Sequence, residues 1–208
     1  MNGGRVPAVI LAGGLSRRMG EMKVTLPFGP ARLIDHVAAR LARQAGPLAL
    51  NVNGALAGLD LLPRVPDDIR GFAGPLAGVA AAMAHVRRTL PGESHVLTVA
   101  ADTPFFPGDL AERLAGAIDG PRGLAVAADA DQNWHPVFAL WPLALEPALR
   151  TFLSDPQNRR VRVFLEANGA VPIAFPLIAA RDGGIDPFFN INTPEDYRRA
   201  LTLLDDLA

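Results

Sequence analysis

The sequence contains no cysteine. That excludes disulfides, thiolate metal sites and cysteine nucleophiles together, and it fits a reducing compartment. Aromatic side chains are scarce, with one tyrosine and two tryptophans among 208 residues. Neither sign of charge dominates: 20 Lys and Arg stand against 21 Asp and Glu, for a formal net charge of −1. No global basic field therefore points to nucleic acid or to an anionic membrane, although a local group of cations can still bind a small anion. Long apolar runs are missing too. Each is broken by charge, Pro or Gly before the ~18 residues that a membrane-spanning helix needs. The run that follows Met1-Asn2-Gly3-Gly4-Arg5 is too short for a secretory leader with its cleavage site. Together these absences predict a cytoplasmic protein with no nucleic-acid and no membrane partner.

What is present suits a soluble, globular chain: half the residues are apolar and a fifth are charged. The length predicts one domain, 1–208, with ample core. Short, nearly continuous apolar runs at 6–12, 48–53, 62–65, 96–101 and 124–128 read as strands buried on both faces. Between them, 33–45, 76–90 and 110–118 carry apolar residues at helical spacing. This alternation predicts an α/β fold, a mostly parallel sheet with helices on both faces. Later in the chain, 136–141 reads as a strand running against the others, 143–153 and 160–167 as helices, and 171–175 as extended. Thr193 is a good N-cap for a last helix, with Pro194 at its first position and Glu195 and Asp196 in its first turn.

In an open α/β sheet, ligands bind beyond the carboxyl ends of the strands. The first strand delivers Leu11-Ala12-Gly13-Gly14-Leu15-Ser16-Arg17-Arg18-Met19-Gly20-Glu21-Met22-Lys23 to that edge. Paired glycines let the backbone approach a ligand closely, and successive N–H groups in such a turn form an anion-binding concavity. Arg17, Arg18 and Lys23 add three cations within seven positions, suited to a triphosphate and to a departing pyrophosphate. The P-loop pattern fails, because Arg18-Met19 stands where Gly-Lys is needed. The dinucleotide fingerprint fails as well, with Ser16 and Met19 at its second and third glycine positions. The competing account is a strand-ending Gly-Gly turn followed by a solvated basic loop.

The pattern Leu11-Ala12-Gly13-Gly14-x-Ser16-x-Arg18-Met19-Gly20-x-x-Lys23 resembles the signature of the MobA-type molybdenum cofactor guanylyltransferases. Later segments match in order, so the resemblance covers nearly the whole chain. It implies a Rossmann-like three-layer sandwich of the nucleotide-diphospho-sugar transferase type. A nucleotide-binding half would occupy about residues 1–105 and an acceptor-binding half about 106–208. It also implies Mg²⁺ as cofactor and GTP and molybdenum-bearing molybdopterin as substrates. The family pattern further suggests a monomer, with transient contact to other molybdenum-cofactor proteins.

The carboxylates follow from both lines of reasoning. Asp102 ends the buried run at 96–101 on the same edge as the glycine loop, where a hard oxygen can ligate Mg²⁺ or simply cap the Asp-Thr-Pro turn. The resemblance makes Asp102 the metal and triphosphate ligand, with Ala101 in place of the family's cysteine. Asp67 stands seven positions before Gly74, the spacing of a family nucleotide contact, and Asp68 is the neighbouring alternative to a plain acidic turn. Gly74 and Gly78 suit close approach of nucleotide or backbone, or helix capping. Asn51 corresponds to a family nucleotide contact at a strand end, with Asn53 beside it. Thus Leu11, Ala12, Gly13, Gly14, Lys23, Asn51, Asp67, Gly78 and Asp102 are the nucleotide candidates, and Lys23, Asp102 and Arg18 the catalytic ones.

Phe188-Phe189-Asn190-Ile191-Asn192-Thr193-Pro194-Glu195 resembles a second family segment, and alternation would turn Asn190 and Asn192 to one face. Asn192, or alternatively Asn190, would complete the metal shell, with helix capping as the other role open to Asn192. His135-Pro136 and Asn158-Arg159-Arg160-Val161 resemble further family segments. His135, Arg159, Arg160 and Asn190 are accordingly acceptor candidates, since guanidinium forks match phosphate oxygens. Exposed charge and a structural histidine are the competing readings, and Trp134 and Trp141 read as packing. The expected reaction is GMP transfer from GTP to the acceptor's terminal phosphate. The alternatives are a CTP-dependent molybdopterin cytidylyltransferase, another small-acceptor nucleotidyltransferase, and a non-catalytic nucleotide-binding domain. The cytidylyl-transferring sister family usually carries Ala-Ala-Gly where this chain has Ala12-Gly13-Gly14, so the resemblance implies guanine rather than cytosine. Around Pro27-Phe28-Gly29-Pro30-Ala31-Arg32-Leu33 the family's basic residue is displaced, which puts a second loop cation in doubt.

Overall fold

A computed structural model describes residues 5–12, 23–54, 62–69, 74–155, 158, 161–181 and 183–207. Four strands form a parallel block: β1 (Ala8–Leu11), β4 (Leu48–Asn51), β5 (Arg64–Val65) and β6 (His95–Ala100). Three more extend the sheet: β7 (Ala125–Ala128), β8 (Trp134–Pro142) and β9 (Val171–Ala174). The seven-stranded order is β5-β4-β1-β6-β8-β7-β9. β8 runs antiparallel to both β6 and β7, while β7 and β9 are parallel. The reversed strand expected at 136–141 is therefore present.

Alternation along the strands builds two cores. Ala8, Ile10, Leu50, Leu97 and Val99 cluster with α1 (Leu33–Ala42) and α3 (Leu110–Gly116). Val9, Ala49, Val96 and Val126 cluster instead with α2 (Pro75–Thr89), α4 (Glu146–Ser154) and α5 (Val161–Ala167). A step of one residue changes the core, as the pleat requires. Helices thus cover both faces, giving the expected three layers.

A third apolar cluster ties Phe28, Leu33, Phe105 and Ile191 to α6 (Pro194–Asp206). Two small hairpins join it, β2 (Pro27–Phe28) with β3 (Ala31–Arg32) and β10 (Ile178–Ala180) with β11 (Gly183–Ile185). Neither hairpin was expected: two- and three-residue strands carry too little periodicity to see. In the first, Gly29 takes φ 61°, which the two-residue turn between Phe28 and Ala31 favours in glycine. Arg32, the displaced basic residue, is the N-cap of α1: its backbone N–H donates to Asp35 Oδ2 at 3.1 Å, and its Nε and Nη2 pair with the same carboxylate at 2.7 and 2.8 Å. That pairing holds the Asp35 carboxyl below the usual carboxylate range.

The expected helix at 143–153 is split into a 3₁₀ turn, Leu143–Leu145, and α4, because Pro147 sets a new helix start. The other expected elements occur with ends shifted by a few residues, and the strand expected at 136–141 is longer at both ends, Trp134–Pro142. At the chain's last helix Thr193 Oγ1 accepts from the Asp196 backbone N–H at 3.1 Å, and Asp196 accepts from the N–H groups of Asn192 and Thr193. Thr193, not the Asn192 side chain, does the capping. Among the described residues no helix is long and apolar enough to cross a membrane.

Candidate active site

β1 lies between β4 and β6, where the strand order reverses direction, and such a switch point opens a crevice beyond the carboxyl ends. Register fixes what meets there. Leu11 is opposite Asn51 on one side and Ala100 on the other. Past the strand ends, Ala12 N–H donates to Asn51 O at 2.9 Å, and Ala101 N–H donates to Leu11 O at 3.1 Å. Leu11, Ala12, Asn51 and the segment entering Asp102 therefore share one edge.

On the β4 side the side chains lock one another. Asn51 is 1% exposed, and its Nδ2 donates to Val65 O at 2.9 Å and to Asp67 Oδ1 at 2.8 Å. Asn53 Nδ2 donates to Asp67 Oδ2 at 2.7 Å, and Asp67 N–H donates back to Asn53 Oδ1 at 2.8 Å. Two neutral amides thus aim the carboxylate without cancelling its charge. Asp67, rather than Asp68, is the residue beside Asn51. Gly78, in the first turn of α2, completes the cluster. A Cβ there would collide with Asn51 Oδ1 and come within 3.3 Å of Leu11 Cδ2. The close approach Gly78 permits is that of Asn51. Gly74 is the N-cap of α2, and among the described residues nothing lies within 4 Å of where its Cβ would be.

On the β6 side, Asp102 is half-buried just past the strand, and its backbone O accepts from Ile191 N–H at 3.0 Å. Ile191 is buried while Asn190 and Asn192 on either side are exposed, so the expected alternation holds. This backbone bond docks the Asn190–Ile191–Asn192 stretch against the carboxyl end of β6. Thr103 Oγ1 approaches Asp102 Oδ1 only at the 3.5 Å limit of a hydrogen bond. Among the described residues no group of three or more His, Cys, Asp or Glu side chains could hold a metal. A carboxylate and carboxamides are hard oxygen donors, and that set fits an ion that takes most of its shell from substrate phosphates and water.

His135 sits farther along the same edge. Its ring stacks on Phe188 at 4.2 Å, and Nε2 lies 3.3 Å from Asp129 Oδ2. Asp129 also accepts from Asp131 N–H, Asn133 N–H and Asn133 Nδ2. Burial pushes the Asp129 carboxyl up, but the Asn133 and His135 donors outweigh it and leave it below the usual range. The β7–β8 register jumps here: Val126 faces Ala139, yet Ala127 faces His135. Pro136, which has no N–H to donate, lies in the irregular stretch. Thr98 Oγ1 spans it, donating to Val137 O at 2.7 Å and accepting from Trp141 Nε1 at 2.9 Å. Trp141 is fully buried, as expected of a packing residue, while Trp134 carries the Arg162 guanidinium 4.8 Å above its ring.

Gly13, Gly14, Arg18, Arg159 and Arg160 lie outside the described residues. Lys23 opens a 3₁₀ turn, Lys23–Thr25, and is described only as backbone.

Comparison with known proteins adds to this geometry. The family model of the MobA-like NTP transferase domain matches residues 8–171. A protein of Sinorhizobium fredii named molybdenum cofactor guanylyltransferase is 45% identical over 99% of this chain and 96% of its own length. The chain belongs to the MobA-like NTP transferase family. Its enzyme class is nucleotidyltransferase. Among solved structures, the molybdopterin-guanine dinucleotide biosynthesis protein A of Archaeoglobus fulgidus superposes with a TM-score of 0.70 at 20% identity, covering 96% of this chain and 99% of that one. A Mycobacterium tuberculosis protein in complex with manganese superposes with a TM-score of 0.63 at 18% identity, covering 96% and 98%. At such identities these two likenesses speak for the fold alone.

In this MobA-like domain two features escaped the sequence. The sequence marks Asn53 only as the neighbour of Asn51, yet it holds Asp67 as closely as Asn51 does. Its position two residues after Asn51, hence on the same strand face, was the available signal. Arg150 contacts Asp68 from 82 residues away, and no local pattern announces that.

Proposed function

We propose that the chain transfers GMP from GTP to the terminal phosphate of molybdenum-bearing molybdopterin, giving the guanine dinucleotide cofactor and pyrophosphate. The observation that carries this reading is the meeting of Leu11, Asn51 with Asp67, and Asp102 at one switch-point edge. The S. fredii relative's name supports guanylyl transfer over its cytidylyl counterpart.

Asp102, with Asn192 or Asn190, would hold Mg²⁺. When bound, the ion supplies charge neutralisation at the triphosphate. Asp67, aimed by Asn51 and Asn53, presents acceptor oxygens to donors of the base edge or ribose. The first turn of α2 places the positive end of a helix dipole beside Asn51 and Leu11. The glycine loop at Gly13-Gly14, Arg18 and Lys23 would neutralise phosphate charge. An acceptor phosphate oxygen attacks the α-phosphorus of GTP, the bond to the β-phosphate oxygen breaks, and pyrophosphate leaves. An anionic nucleophile needs no general base, so the chain's work is positioning and charge neutralisation. His135, Arg159, Arg160 and Asn190 would receive the acceptor, and a cytoplasmic site suits both substrates.

The test is pyrophosphate release with each of GTP, CTP, ATP and UTP, given Mg²⁺ and acceptor, beside calorimetric binding of the same nucleotides. GTP preference, with turnover lost in Asp102→Ala, is the expected result. CTP preference would transfer the chain to the cytidylyl reading, and folded protein that binds no triphosphate would overturn nucleotide transfer altogether.

A further inference from the structure

Asp67 and Asp68 are neighbours in sequence and are held from opposite sides. Asp67 turns to Asn51 and Asn53, while Asp68 accepts from Arg150 Nη2 at 2.7 Å and Nη1 at 3.2 Å. Arg150 stands on α4, and its Nε donates to Glu146 Oε1 at 2.7 Å. Glu146 is 3% exposed, and its Oε2 lies 2.6 Å from Arg87 Nη2 at the far end of α2. All three nitrogens of the Arg150 guanidinium are therefore engaged. These pairings hold Arg150 protonated well beyond its ordinary range.

An isolated ion pair between exposed side chains adds little, because ordering both chains offsets the attraction. This pair differs. A buried carboxylate needs charged partners, so Glu146 fixes the Arg150 fork before Asp68 is met. The fork then meets Asp68 with two parallel hydrogen bonds, the geometry that adds direction as well as energy. Because Asp67 and Asp68 share a peptide bond, holding one side chain restricts the orientation of the other.

We propose that Arg150 is a positioning residue for nucleotide recognition, acting from α4 through Asp68 to aim Asp67. The inference rests on the reading that Asp67 contacts the nucleotide. It assigns a helix of the acceptor half a part in nucleotide affinity, with no contact between Arg150 and substrate.

The test uses the full chain, calorimetric GTP affinity with Mg²⁺, and steady-state turnover. Asp68→Ala leaves the Arg150–Glu146 pair intact, so it keeps the proposal falsifiable even where Arg150→Ala folds poorly. Each variant is expected to weaken GTP about fivefold, with kcat at saturating GTP unchanged and Arg150→Lys intermediate. In an Asp67→Ala background, Arg150→Ala should cause no further loss, as coupled residues do in a double-mutant cycle. Wild-type GTP affinity in Asp68→Ala, or an Arg150→Ala loss that persists undiminished in the Asp67→Ala background, overturns the proposal. Wild-type protein that binds no GTP overturns the nucleotide reading and this inference with it, which separates the two failures.

Discussion

Asp67 and Asp129 stand at the same edge of the sheet, each just past a strand and each held by asparagine, but their supports differ in reach. Asp67 draws its donors from β4 and the residue two beyond it, so its geometry depends on sheet register and on the space left by Gly78. Asp129 draws three donors from the next four residues of its own turn, with Gln132 at φ 64° closing it. The first is a tertiary construction and the second a local one. A carboxylate that must meet a ligand from another strand needs the former; one that orients a nearby ring, as Asp129 orients His135, is served by the latter.

The difference can be broken at several places. The largest effect belongs to neither side: Asp102→Ala should lower turnover by about a thousandfold with the fold intact, read as pyrophosphate release beside an unchanged circular dichroism spectrum. Unchanged turnover would remove Asp102 from the chemistry. Next, Gly78→Ala should displace the Asn51 amide, destabilise by about 1–3 kcal/mol, and weaken GTP about tenfold while leaving the acceptor KM alone. An equal change in both would show that the two sides are one mechanical unit. On the other side, Asp129→Asn or His135→Ala should raise the acceptor KM about fivefold at constant GTP affinity. No acceptor effect in either variant would make His135 structural.

The smallest effect lies beneath both sides. His95 is buried, accepts from Ser94 Oγ at Nδ1 and donates from Nε2 to Gly123 O, and burial lowers its pKa below 6.5. The unfolded chain then binds more protons below that value. The His95 contribution is therefore full above 6.5 and is lost as pH falls through the lowered folded value. His85, shifted the same way by burial, adds a slope of the same sign. Tm should fall from about pH 7 to pH 5, and the slope should flatten in His95→Gln. A Tm that is flat in wild type, or a slope untouched by the substitution, would contradict this account.

Much of this architecture is legible before any coordinates. Continuous apolar runs such as 96–101 announced the parallel strands, and Thr193-Pro194-Glu195-Asp196 announced α6, where Thr193 is the N-cap and its Oγ1 accepts from Asp196 N–H. The glycine-rich pattern and the Asp-Thr-Pro segment pointed to nucleotide transfer, and family membership agrees. The hairpins at Pro27–Phe28 and Ile178–Ala180 were not legible, because strands so short are set by the α6 cluster that they pack against.

The amino-acid sequence by itself determined a mostly parallel sheet with helices on both faces, which follows from local quantities: hydrophobic period, turn chemistry and capping. The glycine loop and Asp102 also stood out by position, while the other candidate residues were marked by the family resemblance. Only the tertiary structure decided that Asp67 and not Asp68 faces Asn51, that Gly78 makes room for an amide side chain, and that Arg150 reaches Asp68 from α4. Those contacts join residues far apart in the chain, and their geometry exists only once sheet register and helix packing have fixed where each side chain stands.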